Sequence, residues 1–127
     1  MSRKIVFILM LISLLLTVSC TKKPSIDIGV AVGKTEDYFR KLNGIATTAS
    51  SFDGKEDIKF RLMIKGNLTE TEATKLFRSI MDTIAEFSDR ADVWDYYNGY
   101  FDIKNYDHGV IYEGTKLIDE DLKVQSK

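Results

Sequence analysis

Few side chains in this sequence are equipped for chemistry. The 127 residues include one His, one Cys and one Trp. His108 is the only side chain whose unperturbed pKa lies near neutrality, and it sits in the turn-like run Asn105–Gly109 beside Asp107. Neighbours in a turn seldom face each other, so a solvated turn histidine is the simpler reading. Ser50 and Ser51 are nucleophiles in type only, because no nucleophile-elbow pattern surrounds them. A Ser-His-Asp triad can assemble from distant positions, and a hydrolase is the last of the readings. Gly29-Val30-Ala31-Val32-Gly33-Lys34-Thr35 has three residues between its glycines, where a phosphate-cradling loop requires four. Asp53, Glu56 and Asp57 form one acidic group and Asp89, Asp92 and Asp95 another. Oxygen ligands of this kind suit calcium, but neither group follows the calcium-loop pattern, and each is expected to keep a loop hydrated. A single Cys excludes an internal disulfide and a Cys-based zinc site. The expectation is a protein that is not an enzyme and carries no cofactor or metal.

The informative thiol is Cys20. Arg3 and Lys4 precede the apolar run Ile5–Ile12, then Ser13, Leu14–Leu16, Thr17, Val18, Ser19 and Cys20. A basic start, an apolar stretch of about a dozen residues and small residues before a cut are the parts of an export signal. A spanning helix needs about 20 apolar residues, and Thr21, Lys22, Lys23 and Pro24 end this run early. With Val18 and Ser19 directly before the cysteine, the segment resembles a bacterial lipoprotein signal peptide, the type cut by signal peptidase II. The resemblance covers residues 1–20 only. It implies that residues 1–19 are removed, that Cys20 receives a diacylglyceryl group, and that residues 20–25 tether a single extracytoplasmic domain, 26–127, to the cell membrane. Two acyl chains suffice for stable attachment where one is marginal. Fully stretched, the tether spans under about 20 Å, so the domain is held close to the membrane.

Charge narrows the partners. The chain has 18 basic and 19 acidic residues. Loss of residues 1–19 removes Arg3 and Lys4, leaving 16 against 19 and a net charge of -3. No basic excess exists to neutralise nucleic-acid phosphates, so nucleic acid is not expected as a partner. Apolar and charged contents of 44% and 29% are those of a globular domain.

The strongest candidates for a functional surface are aromatic. Trp94, Tyr96, Tyr97, Tyr100, Phe101, Tyr106 and Tyr112 are half of all the aromatic residues. Tyr and Trp supply stiff contact area with a polar tip, and Trp94, Tyr96, Tyr97 and Tyr100 are the candidate partner contacts. The competing reading is that they fill the core of a small sheet. As a strand, Trp94 and Tyr96 share one side and Tyr97 takes the other, so one aromatic side is expected to be partly exposed.

Elements must position these residues. Ile26–Val32 alternates weakly and reads as a short strand. Thr35-Glu36-Asp37 reads as a helix start, with Phe39, Leu42, Ile45, Ala46 and Ala49 at helical spacing and a break at Asn43-Gly44. Ile58, Phe60, Leu62 and Ile64 alternate with Lys59, Arg61 and Lys65, the pattern of a half-buried strand. Thr69-Glu70-Thr71-Glu72 fits a capping box. Behind it Ala73, Leu76, Phe77, Ile80, Met81, Ile84 and Phe87 form an apolar stripe, which predicts a helix over 69–87. Asn98-Gly99 favours a two-residue hairpin turn, one irregular strand through it being the alternative. Tyr100–Lys104 and Val110–Glu113 read as paired strands, the second ended by Gly114, with a short last strand at Leu122–Val124. The expected class is α+β, a small antiparallel sheet of three to five strands packed against one or two amphipathic helices.

These readings favour a membrane-anchored, non-enzymatic module that binds another envelope protein. By analogy of size and location, an inhibitor or exclusion factor is one such role. The alternative is a small-ligand or peptide sensor with a pocket between helix 69–87 and the sheet, and an envelope hydrolase comes last.

Overall fold

The computed structural model describes residues 25–127; Cys20, the expected signal peptide 1–19 and most of the expected tether 20–25 lie outside the described residues. The first element among the described residues is a helix, α1 (Ile28–Arg40), where a strand and a later helix start were expected. Asp27 caps it, its carboxylate accepting the Val30 N–H at 3.2 Å. Ile28, Ala31, Val32, Thr35 and Phe39 are buried, a helical stripe that hides inside the weak alternation of Ile26–Val32. Thr35 is no cap: it is fully buried and its hydroxyl donates to the Ala31 carbonyl at 2.8 Å. Gly44, at φ +88°, turns the chain, and Ile45, Ala46 and Ala49 belong to strand β1 (Ile45–Phe52), not to a helix.

β1 forms a hairpin with β2 (Asp57–Ile64). Asp53 organises the loop, one carboxylate oxygen accepting N–H groups from Lys55, Glu56 and Asp57 at 2.8, 3.1 and 3.1 Å. Those donors hold its pKa below the usual aspartate value. In β2 the expected alternation appears, with Ile58, Phe60, Leu62 and Ile64 buried and Lys59 and Arg61 exposed. Helix α2 (Glu70–Ser88) follows the predicted capping box. The Thr69 hydroxyl accepts the Glu72 N–H at 3.2 Å and the Glu72 carboxylate accepts the Thr69 N–H at 3.1 Å.

A short 3-10 turn (Val93–Asp95) leads to β3 (Asn98–Asn105), then β4 (Gly109–Lys116) and β5 (Lys123–Ser126). The five strands lie in chain order across the sheet. The sheet is not wholly antiparallel: β2 and β3 run parallel, Phe60 beside Phe101. The cause is α2, whose 19 residues carry the chain back to the end where β2 began, and a crossover helix joins parallel strands. Asn98-Gly99 is the start of β3 and not a hairpin turn. A Cβ on Gly99 would sit 2.4 Å from the Phe101 ring and 2.9 Å from that of Trp94. β4 likewise runs on through Gly114, because the Phe77 ring lies where a side chain would be, 2.7 Å from a Cβ built there.

Both described helices cover the same face. Phe39 meets Phe60 edge-on at 6.1 Å, and Phe77 stacks on Phe101 at 6.0 Å. Ile80 and Ile84 of α2 are fully buried with them. Each such side chain contributes about 1.5–3 kcal/mol on burial, and the opposite face of the sheet is left without a covering layer among the described residues.

Candidate partner-binding face of the sheet

The strand registers set what the uncovered face displays. One row across it is Ser51, Lys59, Tyr100, Thr115 and Lys123; the next is Ala49, Arg61, Asp102, Glu113 and Gln125. Between the rows lies a shallow depression of about 470 Å³ lined by Ser51, Lys59, Arg61, Tyr100, Asp102 and Thr115 among others.

Cross-strand pairing orders its charges. Arg61 grips Asp102 through two bonds, Nε to Oδ1 at 2.7 Å and Nη2 to Oδ2 at 2.9 Å. The carboxylate strengthens the guanidinium's hold on its proton. Glu113 pairs with Lys127 at 3.3 Å. Lys59, beside Tyr100 in the ladder, has no ion-pair partner among the described residues. Such exposed pairs add little stability, and their effect is to fix the layout of charge that a partner meets.

The four aromatic candidates part company here. Trp94 is 8% exposed and Tyr97 4%. The Trp94 indole N–H donates to the Met81 carbonyl at 2.9 Å, and its ring meets Phe101 edge-on at 5.7 Å. Tyr97 packs edge-on against Phe52 at 5.8 Å, and burial raises its pKa. These two are core residues and not surface contacts, because the 3-10 turn rolls them inward, where a strand was expected to alternate them. Tyr96 is half-buried against the core. Tyr100, 37% exposed, is the one of the four that stands on the open face.

The other candidates are dispersed. His108 is exposed in the β3–β4 turn, its main-chain N–H donating to Asn105 at 2.8 Å. Ser50 lies on the helix side of β1, its hydroxyl donating to Glu36 at 2.8 Å. Among the described residues no group of three acidic, His or Cys side chains converges as a metal site. Asp92 is engaged by Arg90 at 2.8 Å, which lowers its pKa, and Asp57 accepts from Asn98 at 2.9 Å. Between α2 and the sheet, where the alternative sensor reading places a pocket, Phe77, Ile80 and Ile84 are fully buried.

Sequence alternation already put Lys59 and Arg61 outside. The partners Asp102, Glu113 and Thr115 were missed, because Arg61 and Asp102 are 41 residues apart and only the parallel register brings them together. Compared with known proteins, the chain matches no family model and no curated protein.

Proposed function

We propose that this chain is a lipid-anchored extracytoplasmic protein that binds another envelope protein through the open face of its sheet. The observation that carries the reading is the five-strand face that no helix among the described residues covers, with Tyr100 and Lys59 beside the Arg61–Asp102 pair. Mixed charge on a broad, shallow surface fits a protein partner better than a polyanion. The sequence supplies the rest of the reading: the export signal ends in Cys20, and a membrane anchor confines the domain and raises its effective concentration toward a neighbour.

A photo-crosslinking residue at Tyr100, in the full chain in living cells, tests it. One envelope protein should be captured there and not from Lys75, which is exposed on α2. Capture should fall when Lys59→Glu is added, while the melting curve stays unchanged. Equal capture from both positions overturns the assignment of the face. The anchor is tested separately: Cys20→Ser should abolish palmitate incorporation and release the protein from the membrane fraction, and retention of both would refute it.

A further inference from the structure

The two edges of the sheet are finished differently. β5 has four residues, carries Lys123 and is followed by Lys127, the short charged edge by which proteins discourage strand addition. β1 has eight residues, with no charge and no proline. Its irregularity lies between Ile45 and Thr47, leaving Thr47–Phe52 in regular register with β2. Beside it the Asp53 N–H donates to the Asp57 carbonyl at 3.2 Å. By strand alternation the main-chain groups of Thr47, Ala49 and Ser51 therefore point to β2, and those of Thr48 and Ser50 point away from the sheet. Among the described residues nothing pairs with that outer side.

Helix α1 lies along the same edge. Gly29, Gly33, Glu36 and Arg40 recur every three or four residues and share one side of the helix. Glu36 marks where that side points, its carboxylate accepting from the Thr48 hydroxyl at 3.1 Å and the Ser50 hydroxyl at 2.8 Å. Both glycines have ordinary helical backbone. A Cβ at Gly33 meets no atom within 4 Å, and one at Gly29 meets only Asp27, at 3.9 Å. Glycine weakens a helix interior, and no contact among the described residues requires it at either position.

We propose that this edge seats a second copy of the chain, β1 pairing antiparallel with β1 about a twofold axis at Ala49. In that register exposed Thr47 faces Ser51 of the second copy, and Thr48 faces Ser50. The outward N–H and C=O groups of both strands are then satisfied, and two five-stranded sheets become one. Small and hydroxyl side chains meet across the strand pair, with no charge opposed to its like. At the level of the axis each copy brings Arg40, 3.1 Å from Glu36 and 3.3 Å from Asp37, so each helix carries charges of both signs to the contact. The missing side chain at Gly33 leaves the space into which Arg40 of the second copy passes. A stable pair buries about 1,200–2,000 Å² in total, more than one strand offers, so the α1 flank is a necessary part of the contact. A foreign extended peptide would use the strand edge but would have no need of that flank.

Single cysteines in the full chain test the proposal. Residues opposed in a non-hydrogen-bonded pair have Cα atoms about 4.5 Å apart, within disulfide reach. Ala49→Cys should therefore oxidise to a disulfide-linked dimer in membranes. Thr47→Cys and Ser51→Cys, each displaced about 13 Å from its own copy, should not crosslink singly but should crosslink when coexpressed. The parent chain run alongside shows what Cys20 contributes. Adding Gly33→Leu to Ala49→Cys should abolish the dimer without lowering the melting temperature. Gly33→Ala, which adds one carbon, should crosslink more than Gly33→Leu. No Ala49→Cys dimer, equal crosslinking at 47, 49 and 51, or a dimer indifferent to Gly33→Leu would overturn the proposal, the last in favour of strand addition without the helix.

Discussion

Trp94→Ala should cripple the fold, whereas Tyr100→Ala should leave it standing. The two aromatics lie six positions apart, yet one is 8% exposed beneath α2 and the other 37% exposed on the open face. Truncating Trp94 removes an indole packed on Phe101, vacates the space that Gly99 leaves for the ring, and deletes the bond to Met81. Truncations of this kind cost about 3–5 kcal/mol. At roughly 4–8 °C per kcal/mol for a domain near this size, the melting temperature falls by roughly 12–40 °C or the transition is lost. Tyr100→Ala should cost under about 1 kcal/mol, as surface changes do. Trp94→Phe should fall between, keeping a ring but losing the donor, at about 1–2 kcal/mol. The assay is thermal and urea unfolding followed by far-ultraviolet circular dichroism, since the sole tryptophan cannot report on its own removal. In the unaltered protein, Trp94 emission should be blue-shifted and resist iodide quenching. A Trp94→Ala variant within about 1 kcal/mol of the parent would refute the packing argument and return Trp94 to the surface.

Gly114→Ala should destabilise by about 1–3 kcal/mol, because its Cβ would lie 2.7 Å from the Phe77 ring; an unchanged urea midpoint would show that the ring moves aside freely. Gly33→Ala, with open space around its Cβ, should instead stabilise the monomer by up to about 1 kcal/mol, read from the same midpoint. The Thr69 N–H and hydroxyl hold Glu72 below its ordinary pKa of 4.5. Its contribution is therefore complete above that value and lost as pH falls through the lower folded one. Titrating the unfolding midpoint downward through this range should show a loss that Glu72→Gln reduces, and parallel profiles for the two proteins would deny Glu72 that role. Thr69→Ala, which removes the capping hydroxyl, should cost about 1 kcal/mol at neutral pH, measured by urea unfolding.

Two elements are plain in the residue order. β2 repeats an apolar side chain at every second position over Ile58–Ile64, and α2 couples the Thr69/Glu72 box to a stripe of period 3.6. Each is long and regular enough that one periodicity fits. α1 and β1 lack that advantage. Ile28, Val30 and Val32 suit a strand as well as a helix locally, and Thr47 to Ser51 are small residues with little hydrophobic contrast. What decides for helix in α1 is remote: Phe39 against Phe60, and Glu36 bound to Thr48 and Ser50.

The candidate face shows the same division. That Lys59, Arg61 and Tyr100 stand outside follows from strict alternation within their strands, a matter of main-chain geometry. Whether Arg61 meets Asp102 depends on the parallel seating of β3 against β2, which α2 imposes by returning the chain to its starting end. Trp94 and Tyr97 were ambiguous because an aromatic side chain suits a core and a binding surface equally; their turn, folded beneath α2, made them core. Local order along the chain determined the two strongest elements and the sidedness of the strands. Register, layer order and the fate of the aromatics required the tertiary structure, because each depends on contacts between residues far apart in sequence.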